Sequence, residues 1–218
     1  LVSSKDVYRV RLELASQGAR GVQIRAIEYA KKHNVTIHVR SAFTAERGTL
    51  VVKEHMPMEG VVVTGIVADK NEAKIAVLGV PDKPGSAAKI LTGLADKDIS
   101  VDMIVQNVGQ DGLADITFSI SKTDLDKAHQ ITAQIAKEVN ARELLADRNI
   151  SKVSIVGLGM KNHAGVAARM FTALAYNNIN SQMISTSEIK VSVAIEEKYT
   201  ELAVRVLHEA FKVDQCSE

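Results

Sequence analysis

"VPDKPGSAAKILTGLADKDISVDMI", residues 80–104, and "LGMKNHAGVAARMFTALAYNNINSQMI", residues 158–184, say nearly the same thing twice. Each reads as a glycine-bearing turn, a helix and the beginning of a strand. Gly85, Ala88, Leu94, Ile99, Met103 and Ile104 match Gly165, Ala168, Leu174, Ile179, Met183 and Ile184 at an offset of 80. Just upstream, Lys74 and Gly79 in "KIAVLG" match Lys152 and Gly157 in "KVSIVG" at an offset of 78. The two-residue difference falls in the turn, where insertions are tolerated best.

Each copy continues with an alternating strand. Ile116, Phe118 and Ile120 share one face of "DITFSIS", and Ile189, Val191, Val193 and Ile195 share one face of "EIKVSVAI". A second helix follows each, over 124–139 and 198–211. The order strand, helix, strand, strand, helix and a possible closing strand predicts an α+β fold of two ferredoxin-like units, antiparallel sheets with helices on one face.

Ahead of the repeat, residues 9–33 place apolar side chains at helical spacing around Gly18, which predicts two helices meeting at a turn. Val35, Ile37 and Val39 then alternate with polar residues as a half-buried strand. Residues 44–60 mix charge, Gly and Pro around a short apolar run and read as a connection between domains.

Composition narrows the function. Twenty-seven basic and twenty-six acidic residues leave a net charge of +1 with no like-charged block, which argues against nucleic acid or an anionic membrane as partner. No apolar run approaches the roughly twenty residues of a membrane span, and residues 1–11 lack a signal-peptide core, so a cytoplasmic protein is expected. The single cysteine, Cys216, rules out an internal disulfide and a thiolate zinc cluster. The histidines show no metal-like pairing, Asp124 and Asp126 read as helix-start charges, and no nucleophile has a plausible base. Gly157 and Gly159 begin a dinucleotide fingerprint that Asn162 fails to finish.

The informative places are therefore the two turns. Pro81 and Pro84 stiffen the first, Gly85 lets a ligand approach the backbone, and the helix beginning near Ser86 offers free N–H groups to a carboxylate. Asp82 and Asp102 could take the ammonium of an amino acid. The plain alternative is a helix start punctuated by glycine. The second turn would use Asn180 and the backbone of Ala167 and Ala168.

The segments "EAKIAVLGVPDKPGSAAKIL", "ISVDMIVQNV", "DITFSI", "KVSIVGLGMKNHAGVAARMF" and "INSQMISTSEIKVSVAIEEKY" resemble the paired regulatory ACT domains of bacterial aspartate kinase. "LELASQGARGVQIRAIEYAKKHNVTIHVRSAF" is similar to the end of that enzyme's amino-acid-kinase domain. The resemblance implies three regions: 1–57 as the end of an α/β kinase domain with its linker, 58–145 as the first ACT domain and 146–218 as the second. Met58 begins a stretch similar to the start of the separate small regulatory subunit that some relatives make.

The family phosphorylates the side-chain carboxylate of aspartate with ATP and is inhibited by threonine, lysine or both. The glycine-rich part that holds ATP and Mg2+ in the complete enzyme has no counterpart here, so no cofactor is expected in this segment and no activity from it alone. The family's effector contacts fall on Asp82, Ala87, Ser100, Val101, Asp102 and Gln106 in the first unit. In the second they fall on Ala167, Ala168, Asn180, Ser181, Thr186 and Ser187. A homodimer, or a hetero-oligomer with a catalytic aspartate kinase chain, is the implied assembly. A purely structural module that binds nothing is the alternative.

Overall fold

The computed structural model describes residues 5–16, 22–44, 48–52, 63–109, 111–157 and 165–213. The turn at Gly18, the glycine-containing stretch 158–164 with His163, and Cys216 lie outside these residues.

The N-terminal layer comprises β1 (Lys5–Val7), α1 (Tyr8–Ser16), α2 (Ile24–His33), β2 (Ile37–Val39) and β3 (Thr49–Val52). β3 is the central strand, parallel to β1 and antiparallel to β2. The apolar run inside the expected 44–60 connection is thus a structural strand, with Val51 fully buried. Four residues are too few to show alternation, and the parallel partner β1 comes from the far end of the layer's sequence. Val35 also departs from expectation, being 54% exposed. Its N–H closes the end of α2 by donating to Ala30 O at 2.9 Å, after Asn34 turns left-handed at φ 54°.

The repeats form one six-stranded antiparallel sheet in the order β5-β6-β4-β7-β9-β8. Its elements are β4 (Gly65–Pro81), α3 (Ser86–Ala95), β5 (Val101–Val108), β6 (Leu113–Ser121), α4 (Leu125–Glu138), β7 (Glu143–Val156), α5 (Val166–Tyr176), β8 (Ser181–Thr186), β9 (Lys190–Glu196) and α6 (Thr200–Phe211). Helices form where one stripe is apolar: Ile90 and Leu94 on α3, Met170 and Leu174 on α5, each pair spaced by four and buried. The repeat reaches the backbone, since Asp98 and Asn178 after these helices take φ 58° and 55°. Ile75, Val77, Ile116 and Phe118 meet α3 and α4 in one core, and Val153, Ile155, Val191 and Val193 meet α5 and α6 in the other.

The two ferredoxin-like units are interlaced. Residues 72–81 of β4 pair with β6, and 74–78 among them also pair with 143–147 of β7, which closes the first unit. Residues 150–156 of β7 pair with β9 and with 65–69 of β4, so the second unit is closed by a strand that precedes the first in sequence. The division at 145/146 falls inside one continuous strand, and 65–69 belong to the sheet of the second unit. Two long strands crossing as partners let each unit borrow its fourth strand from the other's sequence.

Candidate functional site

The turn between β4 and α3 encloses a cavity of about 420 Å³ lined by residues 80–87 with Gln106, Ala114 and Ile116. Gly85 is the N-cap of α3 at φ 98°, and no side chain caps the helix. That φ is strained for any side-chain-bearing residue, and a Cβ placed on Gly85 would meet nothing within 4 Å. The backbone there is bare toward open space.

Hydrogen bonds fix the turn from inside. Ser86 Oγ donates to Pro81 O at 2.9 Å, Ser86 N–H to Lys83 O at 3.1 Å, Lys83 N–H to Pro81 O at 2.9 Å and Asp82 N–H to Gly112 O at 2.9 Å. Lys89 N–H takes Gly85 O at 2.9 Å. The Ala87 and Ala88 N–H groups, between these, have no hydrogen-bond partner among the described residues. Two free donors at the positive end of a helix form a site for a carboxylate.

Asp82 and Gln106 line the same space, both exposed. Of the expected first-unit residues, Asp82, Gly85, Ala87 and Gln106 thus come together. Ser100, Val101 and Asp102 do not. Val108 and Val80 both pair with Ala114, whereas Val101 pairs with Ile120 at the other end of β6. Asp102 precedes Val108 by six residues, about 20 Å of strand. α3 runs back along the sheet, so β5 starts at its C-terminal end, and Asp102 cannot take the ammonium of a ligand seated at Gly85 of its own chain.

The second unit repeats this layout. Gly165 caps α5 at φ 99° with open space where a Cβ would be. Ala167 and Ala168 lie in the first helical turn, and Thr186 and Ser187 lie near that end, because Gly157 N–H bonds Ile189 O at 2.9 Å. Asn180 and Ser181 sit at the opposite end, where Ser181 pairs with Ile195 and Ile195 with Ser151. Ser187 shapes the β8–β9 turn, its Oγ accepting from Ile189 N–H at 3.3 Å and Lys190 N–H at 3.1 Å.

Asp102 has a different occupation. Lys152 Nζ donates to Asp102 and, at 2.7 Å, to Glu72, with Lys152 and Glu72 side chains each 6% exposed. Burial raises the Glu72 pKa, and the Lys152 ammonium offsets this only in part. Burial pushes Asp102 up as well, but the hydrogen bond and charge of Lys152 outweigh it and hold the carboxyl below its usual value. Burial works against the Lys152 charge too, and its two carboxylates overcome that and raise it. The equivalent of Lys152, Lys74, donates to Gln182, the equivalent of Asp102. In the sequence Lys74 and Lys152 stand only as repeat markers. A lysine inside an apolar strand such as "KVSIVG" is the signal from which a buried counter-charge could have been read.

Among the described residues no group of three His, Cys, Asp or Glu could hold a metal ion, and no helix is long and apolar enough to cross a membrane.

Two ACT domain profiles match the chain, over residues 74–140 and 153–211. The aspartate kinase of Pseudomonas fluorescens (strain SBW25) is 52% identical over 211 residues, which is 96% of this chain and 51% of that protein. The chain spans about half the length of the curated relatives it matches. Among solved structures, a chain from the crystal structure of aspartokinase alpha and beta subunits is 53% identical at a TM-score of 0.65, covering 69% of this chain and 99% of that one. The ligand-free regulatory subunit of aspartate kinase from Thermus thermophilus is 39% identical with a TM-score of 0.66 over the same shares. The interlaced α+β repeat is therefore a tandem of ACT domains, and the chain belongs to the aspartate kinase family, matching its regulatory region.

Proposed function

We propose that this chain is the amino-acid-sensing part of a cytoplasmic aspartate kinase, and that threonine or lysine bound at the Gly85 turn is its feedback signal. The observation that carries the reading is the pair of unbonded N–H groups, Ala87 on the wall of a cavity sized for a small amino acid and Ala88 next to it, beside the bare Gly85 backbone. The effector's carboxylate takes the helix end, and Asp82 and Gln106 take its ammonium and side chain.

The rest of the site comes from a second copy. β5 and β8 are the outer strands of the sheet, and both carry exposed apolar side chains, Ile104 and Val108 on one and Ile184 on the other. Antiparallel pairing of β5 with β8 of another copy brings Asn180 and Ser181 of that copy beside Gln106. An effector in that seam ties the copies together, in a homodimer or in an assembly with a catalytic chain. Inhibition of ATP-dependent aspartate phosphorylation needs only a difference in effector affinity between two states, on the order of 1–3 kcal/mol.

Calorimetric titration of threonine and of lysine tests this. Asp82→Ala removes a charge-assisted bond and should weaken binding about ten- to hundredfold, while Gln106→Ala should weaken it about fivefold. Binding unchanged in both variants would place the ligand elsewhere.

A further inference from the structure

The face of β7 turned away from α5 and α6 carries an unbroken row of buried or paired side chains from the N-terminal layer to the first unit. Alternation along 150–156 puts Ile150, Lys152, Ser154 and Val156 on this face, while Val153 and Ile155 enter the helix-covered core. At one end Val156 packs with Val10 and Leu14 of α1. Leu14 lies so close to β4 that a Cβ on Gly65 would sit 3.1 Å from its Cδ2, and Glu13 ion-pairs with Lys190 at 2.7 Å. Next, Ser154 and Ser192, both buried, share a hydrogen bond of 2.7 Å. Then Lys152 grips Glu72 of β4 and Asp102 of β5. At the far end Ile150 packs with Met103 of β5 and Met183 of β8.

We propose that this row couples the turn cavity to the N-terminal layer, with Lys152 as its positioning residue. Gln106, on the cavity wall, and Asp102, in the grip of Lys152, lie four residues apart on the same strand. Apolar contacts such as Ile150 on Met103 tolerate small sliding. A buried ammonium does not, because losing a carboxylate leaves a charge uncompensated in a low-dielectric site. A shift of β5 at the cavity is therefore passed to β7, and β7 is the strand on which α1 rests. Spatial continuity alone does not establish coupling, so the test perturbs one end and reads the other.

Hydrogen exchange is measured in α1 of the 218-residue chain, with α4, which packs on the opposite face, as reference. Three proteins are compared: the parent, Lys152→Met, and the charge-free Glu72→Gln/Lys152→Met/Asp102→Asn, which keeps the comparison valid if Lys152→Met alone unfolds. Without ligand, α1 should exchange about tenfold faster in the variants than in the parent, with α4 unchanged. The ligand arm rests on the reading of the Gly85 turn as an amino-acid site: threonine or lysine, whichever binds, should alter α1 exchange in the parent and leave it unaltered in a charge-free variant that still binds. Exchange in α1 that matches the parent in every folded variant, with or without ligand, overturns the coupling. If neither amino acid binds the parent, the effector reading falls, and the ligand-free comparison decides the coupling by itself.

Discussion

At the scale of single residues, Gly85 and Gly165 are the same solution used twice. Both hold a left-handed backbone at a helix start, and neither has a neighbour that a Cβ would strike. The cost of Gly85→Ala is then backbone strain alone, about 1–2 kcal/mol. Gly165→Ala should cost the same. Thermal melts of the two variants check this, and a much larger loss at one site would mean that its turn is built differently. The buried cluster makes a second, pH-dependent prediction. Burial lifts Glu72 above its ordinary 4.5, so its contribution to stability is full below that value and is lost as pH rises from there through the folded one. Glu72→Gln should therefore gain on the parent as pH climbs from about 4 toward neutrality. Asp102 has the opposite sign. Burial raises it, Lys152 more than reverses that, and its folded value lies below the ordinary 3.8. Its contribution is full above that value and lost as pH falls through the folded one, so Asp102→Asn should be destabilised at neutral pH and approach the parent in acid. Denaturant midpoints across pH measure both slopes. The sequence revealed the glycines because their spacing repeats, and it concealed the occupation of Asp102. Pairing across eighty or fewer residues, set by a strand crossing, leaves no local trace except a lysine in an apolar run.

At the scale of elements, the helices were legible because their apolar positions recur with helical spacing, and β6 and β9 because they alternate cleanly. β4 was not. Its middle, "ADKNEA", is polar, and pairing with β7, joined from Glu72 by β6, keeps it extended through Asp69 to Glu72, where the pairing register shifts. β3 was hidden for the same kind of reason, a short run whose partners lie elsewhere. The edges make a testable claim. Ile104 and Ile184 are repeat equivalents, half exposed on the two outer strands, and an unpaired apolar edge is a template for another strand. Ile104→Lys and Ile184→Lys should each shift sedimentation toward monomer with unchanged circular dichroism, while Lys70→Ala, which breaks only an exposed pair with Glu201, should leave association as it was.

At the scale of the whole molecule, duplication gives a sheet whose two ends are alike and whose glycine turns lie remote from the strand starts that the proposed site requires. Within one chain β5 and β8 already meet at Met103 and Met183 on the face away from the helices, which leaves the exposed Ile104 and Ile184 to a second chain. On the proposed pairing, two chains in antiparallel contact bring Gln106 and Ser181 together. Ligand and partner are then linked, and each strengthens the other by the same factor. The most direct test is the dimer dissociation constant measured by sedimentation across a threonine series and a lysine series. The account predicts that one of the two tightens association at least about tenfold at saturation, roughly 1.4 kcal/mol, and that Gln106→Ala removes most of that gain. An amino acid that binds with calorimetric heat yet leaves the dissociation constant unchanged would contradict it, since the site would then lie within one chain.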